Sequence, residues 1–481
     1  MRDIFFLSAG DLLELLDSGE LTSRELLEMY LARIERYNDS INAIIYLSVE
    51  EAREATDRAD KARAAGERWG PLHGLPFTVK DVHHVAGWPT TYGDPSEANY
   101  RPETSATIIN RLRKAGAIIF GKTNVPLHSA DFQTFNKIHG STRNPWDLAR
   151  SPGGSSGGAA AALAAGFTSV EIGTDIAGSI RFPAHFCGLY SHKPSHGIVT
   201  QENNERKGQL VSTDLSTAGP MARSPDDLAL LLDILAAPGD AISKAWHFRL
   251  PPSRKKALGE FRIGLLRNSD LAPIDNAYQT AIGNFVSQLE LSGASVDQTA
   301  RPDFDFRQSH EAYIKLLRGT GAGRLSDDEF EQIIEEAKTF DSGDSTYKAQ
   351  LRRAQAQSHR SYMHAEETRA NIQSTWARFF EDFDVLLTPV TLSAAYLVDE
   401  ETVREERVIP VSGGSVGYND QLFWSGLTTL PSLPVTTIPI GTVDGLPVGI
   451  NVVGAYLEDL TTITFAKLAS SIYSFRPPPN L

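Results

Sequence analysis

Two glycine-rich runs hold the residues with the most chemistry to offer: Ser151-Pro-Gly-Gly-Ser155-Ser156-Gly-Gly158 and Gly173-Thr-Asp175-Ile176-Ala177-Gly178-Ser179-Ile-Arg181-Phe-Pro183. Glycine loses more backbone entropy on ordering than any other residue, so a serine framed by four of them weakens the fold unless the bare backbone serves a purpose. That purpose is to let N–H groups converge on an anion, either a bound phosphate or the oxyanion of an acyl transfer. The phosphate alternative lacks its Lys-Ser or Lys-Thr, because Gly158 is followed by Ala159-Ala-Ala-Ala162, and no G-x-G-x-x-G opens a helix after a strand. Gly154-Ser155-Ser156-Gly157 also departs from the G-x-S-x-G elbow of α/β-hydrolases. A nucleophilic serine of another kind remains.

A serine hydroxyl is a weak nucleophile at neutral pH and needs a base within hydrogen-bond reach, directly or by relay. Histidine is the usual base, and His83, His84, His128, His139, His185 and His192 all lie near the glycine runs, so a Ser-His arrangement stays open on composition. The second candidate is Lys80, which ends the apolar run Leu75-Pro-Phe-Thr-Val79. Burial there would favour the neutral amine, which can accept a proton; the bland alternative is a surface lysine at a strand end. His73, His83 and His84 lack a His-Glu-x-x-His or a matched carboxylate set, so no metal site is expected. Cys187, in Phe186-Cys-Gly188, reads as core.

These residues need a scaffold that positions them. Ser8 to Leu16 and Thr22 to Tyr37 have helical spacing, with Thr22 and Glu25 as a capping box, and Ser48 with Glu51 caps a further helix to about Glu67. Strand-like runs occur at Ile41–Leu47, Leu75–Lys80, Ala117–Gly121, Ser169–Gly173, Phe261–Leu266, Ala294–Gln298 and Phe383–Pro389. Helical stretches at Thr104–Lys114, Ala159–Ala165 and Asn276–Leu291 alternate with them, and Asp444-Gly445 between Thr436–Ile440 and Leu446–Val453 signals a hairpin. The alternation implies an α/β fold with a mixed sheet. Ser326 to Phe380 reads as charged and helical, broken at Asp341–Ser345, and is a candidate lid.

Length and composition bound the rest. A chain of 481 residues buries a sizeable core without staples, and its one cysteine excludes an internal disulfide framework and suits a reducing, cytoplasmic setting. The net charge of −14, with no basic run, argues against nucleic acid as a partner. The short apolar start before Asp11 is too brief for a targeting segment, and the glycine-interrupted stretch from Gly153 to Val170 does not read as a membrane span.

Further segments join the two glycine runs: Gly74-Leu-Pro-Phe-Thr-Val-Lys80-Asp81, Gly121-Lys-Thr-Asn124, Thr142-Arg-Asn-Pro-Trp146-Asp147, Gly219-Pro-Met-Ala-Arg223 and Asp444-Gly-Leu-Pro-Val-Gly449. In this order, over nearly the whole chain, they resemble the amidase signature family of Ser-cisSer-Lys hydrolases. The resemblance implies an α/β amidase signature fold, a central mixed sheet surrounded by helices, as one domain over residues 1–481. Its signature core would span about 70–225, peripheral α/β and helical segments about 260–380, and C-terminal strands and helix about 381–475.

By the same resemblance Ser179 is the acylated nucleophile, Ser155 the bridging serine in a cis peptide, Lys80 the base, and the N–H groups of Ile176, Ala177, Gly178 and Ser179 the oxyanion hole. Ala177 departs from the Gly-Gly of many relatives. Ser156 is expected to support Ser155, and Asp175 and Arg181 to hold the nucleophile turn. The implied activity is hydrolysis of small amides through an acyl-enzyme, with neither metal nor organic cofactor, and with carbamate and ester cleavage from the same geometry. Thr388, Pro389, Gly413, Gly414, Phe423 and Trp424 are the expected pocket wall, and their uncharged, aromatic character favours apolar or aryl amides and anilides. A monomer or homodimer is expected; the alternative is a glutamine-hydrolysing amidotransferase subunit working with partner chains.

Overall fold

In the computed structural model, which describes residues 3–341 and 343–479, two sheets meet at the place where the glycine runs lie. The larger has eight strands in the spatial order Ser295–Asp297, Arg262–Leu265, Val385–Pro389, Leu446–Val453, Val435–Val443, Tyr190–Lys193, Thr217–Ala222 and Glu171–Asp175. It is mixed: the first three strands run parallel, and the remaining neighbours pair antiparallel. The smaller sheet places Ile118–Thr123 between Ile44–Leu47 and Pro76–Lys80. The residue following each apolar run thus ends at a strand terminus: Lys80 in the small sheet and Asp175 at the edge of the large one.

The edge strand and the small sheet are joined by side chains. Thr78 Oγ1 donates to Glu171 Oε1 at 2.5 Å, and Ser169 Oγ donates to the Pro76 carbonyl at 3.0 Å. This clasp brings the Lys80 and Thr174 ends of the two strands together.

Helices cover both sheets. The N-terminal pair, Ala9–Ser18 and Ser23–Ile41, buries its Leu, Ile and Tyr face, and the Thr22–Glu25 capping box forms with both of its bonds. A second box at Ser8 and Asp11 uses aspartate where glutamate is the usual partner. Ser48 corrects the expected cap: its hydroxyl bonds the Glu51 carboxylate at 2.9 Å instead of a helix N–H. The 326–380 stretch resolves into three helices, Asp327–Lys338, Tyr347–Gln355 and His359–Asp382. Among the described residues no helix is long and apolar enough to cross a membrane.

The alanine-rich helix Gly157–Ala164 is buried along its whole length, which its sequence of small residues permits. A Cβ on Gly158 would stand 2.4 Å from the Asn124 backbone nitrogen, so only glycine lets this helix start so close to the neighbouring chain. That contact sets where Ser155 and Ser156, just ahead of the helix, are held.

Candidate active site

Lys80, Ser155 and Ser179 converge from three elements: a strand end, the loop before the alanine helix, and the turn between the edge strand and the helix Arg181–Cys187. Lys80 Nζ lies 2.7 Å from Ser155 Oγ and 2.9 Å from Thr174 Oγ1. The Gly154–Ser155 peptide is cis, and Ser156 N–H donates to the Ser179 carbonyl at 3.1 Å, which ties the two serine loops together. Ser156 Oγ reaches the Thr174 carbonyl at 3.4 Å. Ser155 and Ser179 both line one cavity of about 240 Å3, and among the described residues no side chain or backbone group hydrogen-bonds Ser179 Oγ. Such links commonly close only when substrate is bound.

Lys80 is fully buried. Burial pushes its amine down to about 7, against the pull of Asp175 and Glu171, so a substantial neutral fraction exists at physiological pH. Glu171 is raised by the same burial to about 8, partly offset by its hydrogen bonds from Thr78 and the Ile172 N–H and by the Lys80 charge. The lysine therefore has one ionised carboxylate nearby, Asp175, and one that is largely protonated.

Asp175 and Arg181 form the frame of the turn that carries Ser179. Arg181 Nη2 and Nε bind the two Asp175 oxygens at 2.8 and 3.0 Å, while Nη1 and Nη2 reach Thr428 and Thr429 at 2.9 Å. Burial alone would raise the Asp175 carboxyl, but the Arg181 charge and hydrogen bonds, with Lys193 and the Gly178 N–H, hold it at about 2. Both side chains are buried, and removing one leaves the other as an unpaired charge. Arg181→Ala is therefore expected to lower stability by about 3–5 kcal/mol, read from the denaturant midpoint, with Ser179 mispositioned in whatever folds.

The same frame corrects the expected oxyanion hole. The Gly178 N–H donates to Asp175 Oδ1 at 2.8 Å and so points away from the cavity, and Ile180 N–H takes the other oxygen at 3.1 Å. Ile176, Ala177 and Ser179 line the cavity, and among the described residues nothing accepts from their N–H groups. Tyr313 pins the turn from outside by donating to the Ile176 carbonyl at 2.9 Å.

The expected pocket wall is also corrected. Thr388 and Pro389 lie inside a central strand, Trp424 is buried and donates to the Ala272 carbonyl at 3.0 Å, and Phe423 packs on Phe306 and His310. Gly413 and Gly414 sit on an exposed hairpin. None of the six lines the cavity with Ser179. The wall comes instead from Tyr92, Phe132, Ile176 and Leu317, from Arg318 on the helix Phe306–Ala322, and from loops carrying Arg206, Arg324 and Arg404.

Histidine is not placed as the base. Among the described residues no imidazole hydrogen-bonds Ser155 or Ser179; His83 is bound to the Ile172 carbonyl and held neutral by burial beside Lys80 and Lys122, at about 3. Cys187 is buried, with its thiol toward the Pro152 carbonyl. Sequence reasoning missed Thr174, the second partner of Lys80, although its place one residue before Asp175 on a strand ending at the site was a usable signal.

A family model described as Amidase matches residues 25–463. The chain belongs to the amidase signature family. This amidase is 30% identical over 467 residues to an indoleacetamide hydrolase of Bradyrhizobium diazoefficiens, covering 94% of the chain and 84% of that protein. It is 32% identical over 508 residues to a glutamyl-tRNA(Gln) amidotransferase subunit of Salinispora arenicola, covering 99% and 100%. Among solved structures, a bacterial aryl acylamidase of the amidase signature enzymes superposes with a TM-score of 0.82 at 25% identity, over 98% of this chain and 97% of that one. The amidase is thus an enzyme of the class that acts on carbon–nitrogen bonds other than peptide bonds.

Proposed function

We propose that this amidase hydrolyses small amides through an acyl-enzyme on Ser179, with Ser155 as the proton relay and Lys80 as the base. The observation that carries the reading is the buried Lys80 amine 2.7 Å from Ser155 Oγ, with both serines on one cavity. Neutral Lys80 takes the Ser155 proton as Ser155 takes that of Ser179, whose oxygen bonds to the carbonyl carbon. The ammonium returns its proton through Ser155 to the leaving nitrogen as the C–N bond breaks. Water then attacks the ester by the same route, releasing acid and regenerating Ser179.

The carbonyl oxygen is received by the N–H groups of Ile176, Ala177 and Ser179, each well-placed donor contributing roughly 3–4 kcal/mol to the transition state. Gly178 shapes that hole without donating: its φ is +98°, and a Cβ there would stand 2.6 Å from the Phe182 ring. Gly178→Ala is expected to lower kcat about 10²-fold or more while KM moves little, because a displaced turn misdirects its neighbours' N–H groups. Steady-state kinetics beside a thermal melt separates this from unfolding.

A cavity of about 240 Å3 is small among ligand sites and favours a compact substrate. Phe132, Ile176 and Leu317 give its lining an apolar component, which supports aryl or apolar amides and anilides, and aryl esters and carbamates whose leaving groups need less protonation. The test is release of acid and amine from benzamide, an anilide, an aryl carbamate, an aliphatic amide and glutamine, with Ser179→Ala in parallel. Turnover of the aryl members that vanishes in the variant supports the reading; turnover unchanged in Ser179→Ala overturns it.

The end-to-end similarity to a protein of the amidotransferase kind favours one second reading, a glutamine-hydrolysing chain that works with partner subunits. Activity confined to glutamine and stimulated by added partner subunits would select it.

A further inference from the structure

Four arginines line the cavity that holds Ser179: Arg206 from the loop after Asn204, Arg318 from the helix Phe306–Ala322, Arg324 just beyond that helix, and Arg404 from a distant loop. In an acidic chain arginines find carboxylates easily, as Arg24, Arg53, Arg181, Arg369 and Arg407 do. Among the described residues none of the four cavity arginines has a carboxylate oxygen within 4.0 Å. Of the lining carboxylates, Asp131 is taken by Arg407 at 2.7 Å and by the Tyr418 hydroxyl at 2.7 Å, and among the described residues Glu205 makes no ion pair.

The contacts these arginines do make hold them in place without neutralising them. Arg206 lies over the Tyr92 ring at 4.6 Å, Arg404 over Phe132 at 4.6 Å, and Arg318 over Tyr347 at 5.5 Å. Their hydrogen-bond partners are neutral: Arg324 to Thr213 at 2.6 Å, Arg404 to Asn419 at 3.0 Å and to the Ala130 carbonyl, and Arg318 to the Tyr347 hydroxyl. Arg206 Nη1 meets His128 Nδ1 at 3.4 Å. Two donor nitrogens, Arg206 Nη2 and Arg318 Nε, are buried and have no acceptor among the described residues. A desolvated guanidinium N–H without a partner is unfavourable, and an oxygen from a ligand in the cavity is the acceptor this wall lacks. Burial and mutual repulsion reinforce the picture, since Arg206 is pushed down by Arg324 as well as by burial, and Arg318 by Arg404.

We infer that the substrate is an amide that also carries a carboxylate, with its carbonyl at Ser179 and its anionic group received by the cavity arginines, foremost Arg206 and Arg318. This rests on the hydrolase reading above and narrows it: the apolar lining accommodates the body of the substrate and the arginines select its charge. Arg324 is exposed, and with Arg404 it makes the entrance positive on a molecule whose net charge is −14, which draws an anion that the rest of the surface repels.

Two matched pairs test it, one with the charge on each side of the amide: glutaric acid monoanilide against valeranilide, and 4-acetamidobenzoate against acetanilide. Binding is measured by calorimetry to the intact Ser179→Ala protein, so the result does not depend on turnover. The expected result is that in at least one pair the carboxylated member binds about tenfold tighter or more, with the difference shrinking as salt rises. Adding Arg206→Gln or Arg318→Gln should bring that ratio toward one, and Arg318→Lys should retain part of it. Carboxylated members that bind no better than their neutral partners, or ratios unmoved by both glutamine variants, overturn the inference. Failure of the hydrolase reading looks different: with Ser179 present, the preferred substrate would be turned over no faster than with Ser179→Ala.

Discussion

Replacing Ser179 by alanine is expected to lower kcat on any responsive amide by about 10⁴–10⁶-fold while the protein keeps its thermal stability. The side chain lies on the cavity with no hydrogen bond among the described residues, so losing it leaves no partner there unsatisfied and no space a neighbour must fill. Ser155→Ala should also lower kcat severely, because it breaks the Lys80–Ser155 hydrogen bond through which the proposed relay reaches Ser179. Groups that act as one unit are not additive, so the double variant should be little worse than Ser179→Ala alone. A mass increase equal to the acyl group less one hydrogen, found on the Ser179 peptide after a rapid quench with an aryl ester, checks the covalent step. Full activity in Ser179→Ala, or additive losses in the double variant, would remove Ser179 from its role.

The meeting of Lys80 with the two glycine-framed serines was legible in the sequence through the ordered motifs that carry them. Four glycines around Ser155 weaken the fold unless the bare backbone serves a purpose, whereas Lys80 alone could equally have capped a strand on the surface; the structure places both at the junction of two sheets. The mixed sheet, the Asp444-Gly445 hairpin and the Thr22–Glu25 box followed from local rules that tertiary contacts did not override. The Ser8 box escaped because aspartate stands where glutamate is sought.

The pocket wall was not legible, and the reason is physical. Tyr92, Arg206, Arg318 and Arg404 come from segments far apart in the chain, with no shared period to mark them, and they meet only after the sheets have assembled. Phe423 and Trp424 are aromatic, yet aromatic side chains supply core area more often than ligand walls, and here, on the helix Leu422–Thr429, the core claims them. The Gly178 N–H illustrates the same limit at a single bond. Its place in the turn suggested an oxyanion donor, but Asp175, three residues earlier and fixed by Arg181, takes it.

Lys80→Ala is the second large loss, and its size should depend on the leaving group. General acid–base catalysis contributes about 10²–10⁴-fold, and an amide needs both halves of it, removal of the serine proton and its delivery to nitrogen. An aryl ester needs only the first, so the variant should lose less on the ester than on the matched anilide. The pH profile follows from which form of the lysine works. The neutral amine accepts the proton; below about 7 Lys80 is protonated, so kcat/KM on an uncharged amide should fall toward tenfold per pH unit as pH drops, and level off above it. Glu171 sharpens the point. It is itself raised to about 8, so near neutrality it is mostly protonated and exerts little pull; as it ionises at higher pH it favours the charged lysine and opposes the plateau. The limb therefore reports an apparent value for the Lys80–Glu171 pair. Glu171→Gln should leave a cleaner single limb displaced to lower pH, measured between pH 5 and 9 on benzamide or an anilide. A limb that survives unchanged in Lys80→Ala would assign the titration to another group and take the base role from this lysine.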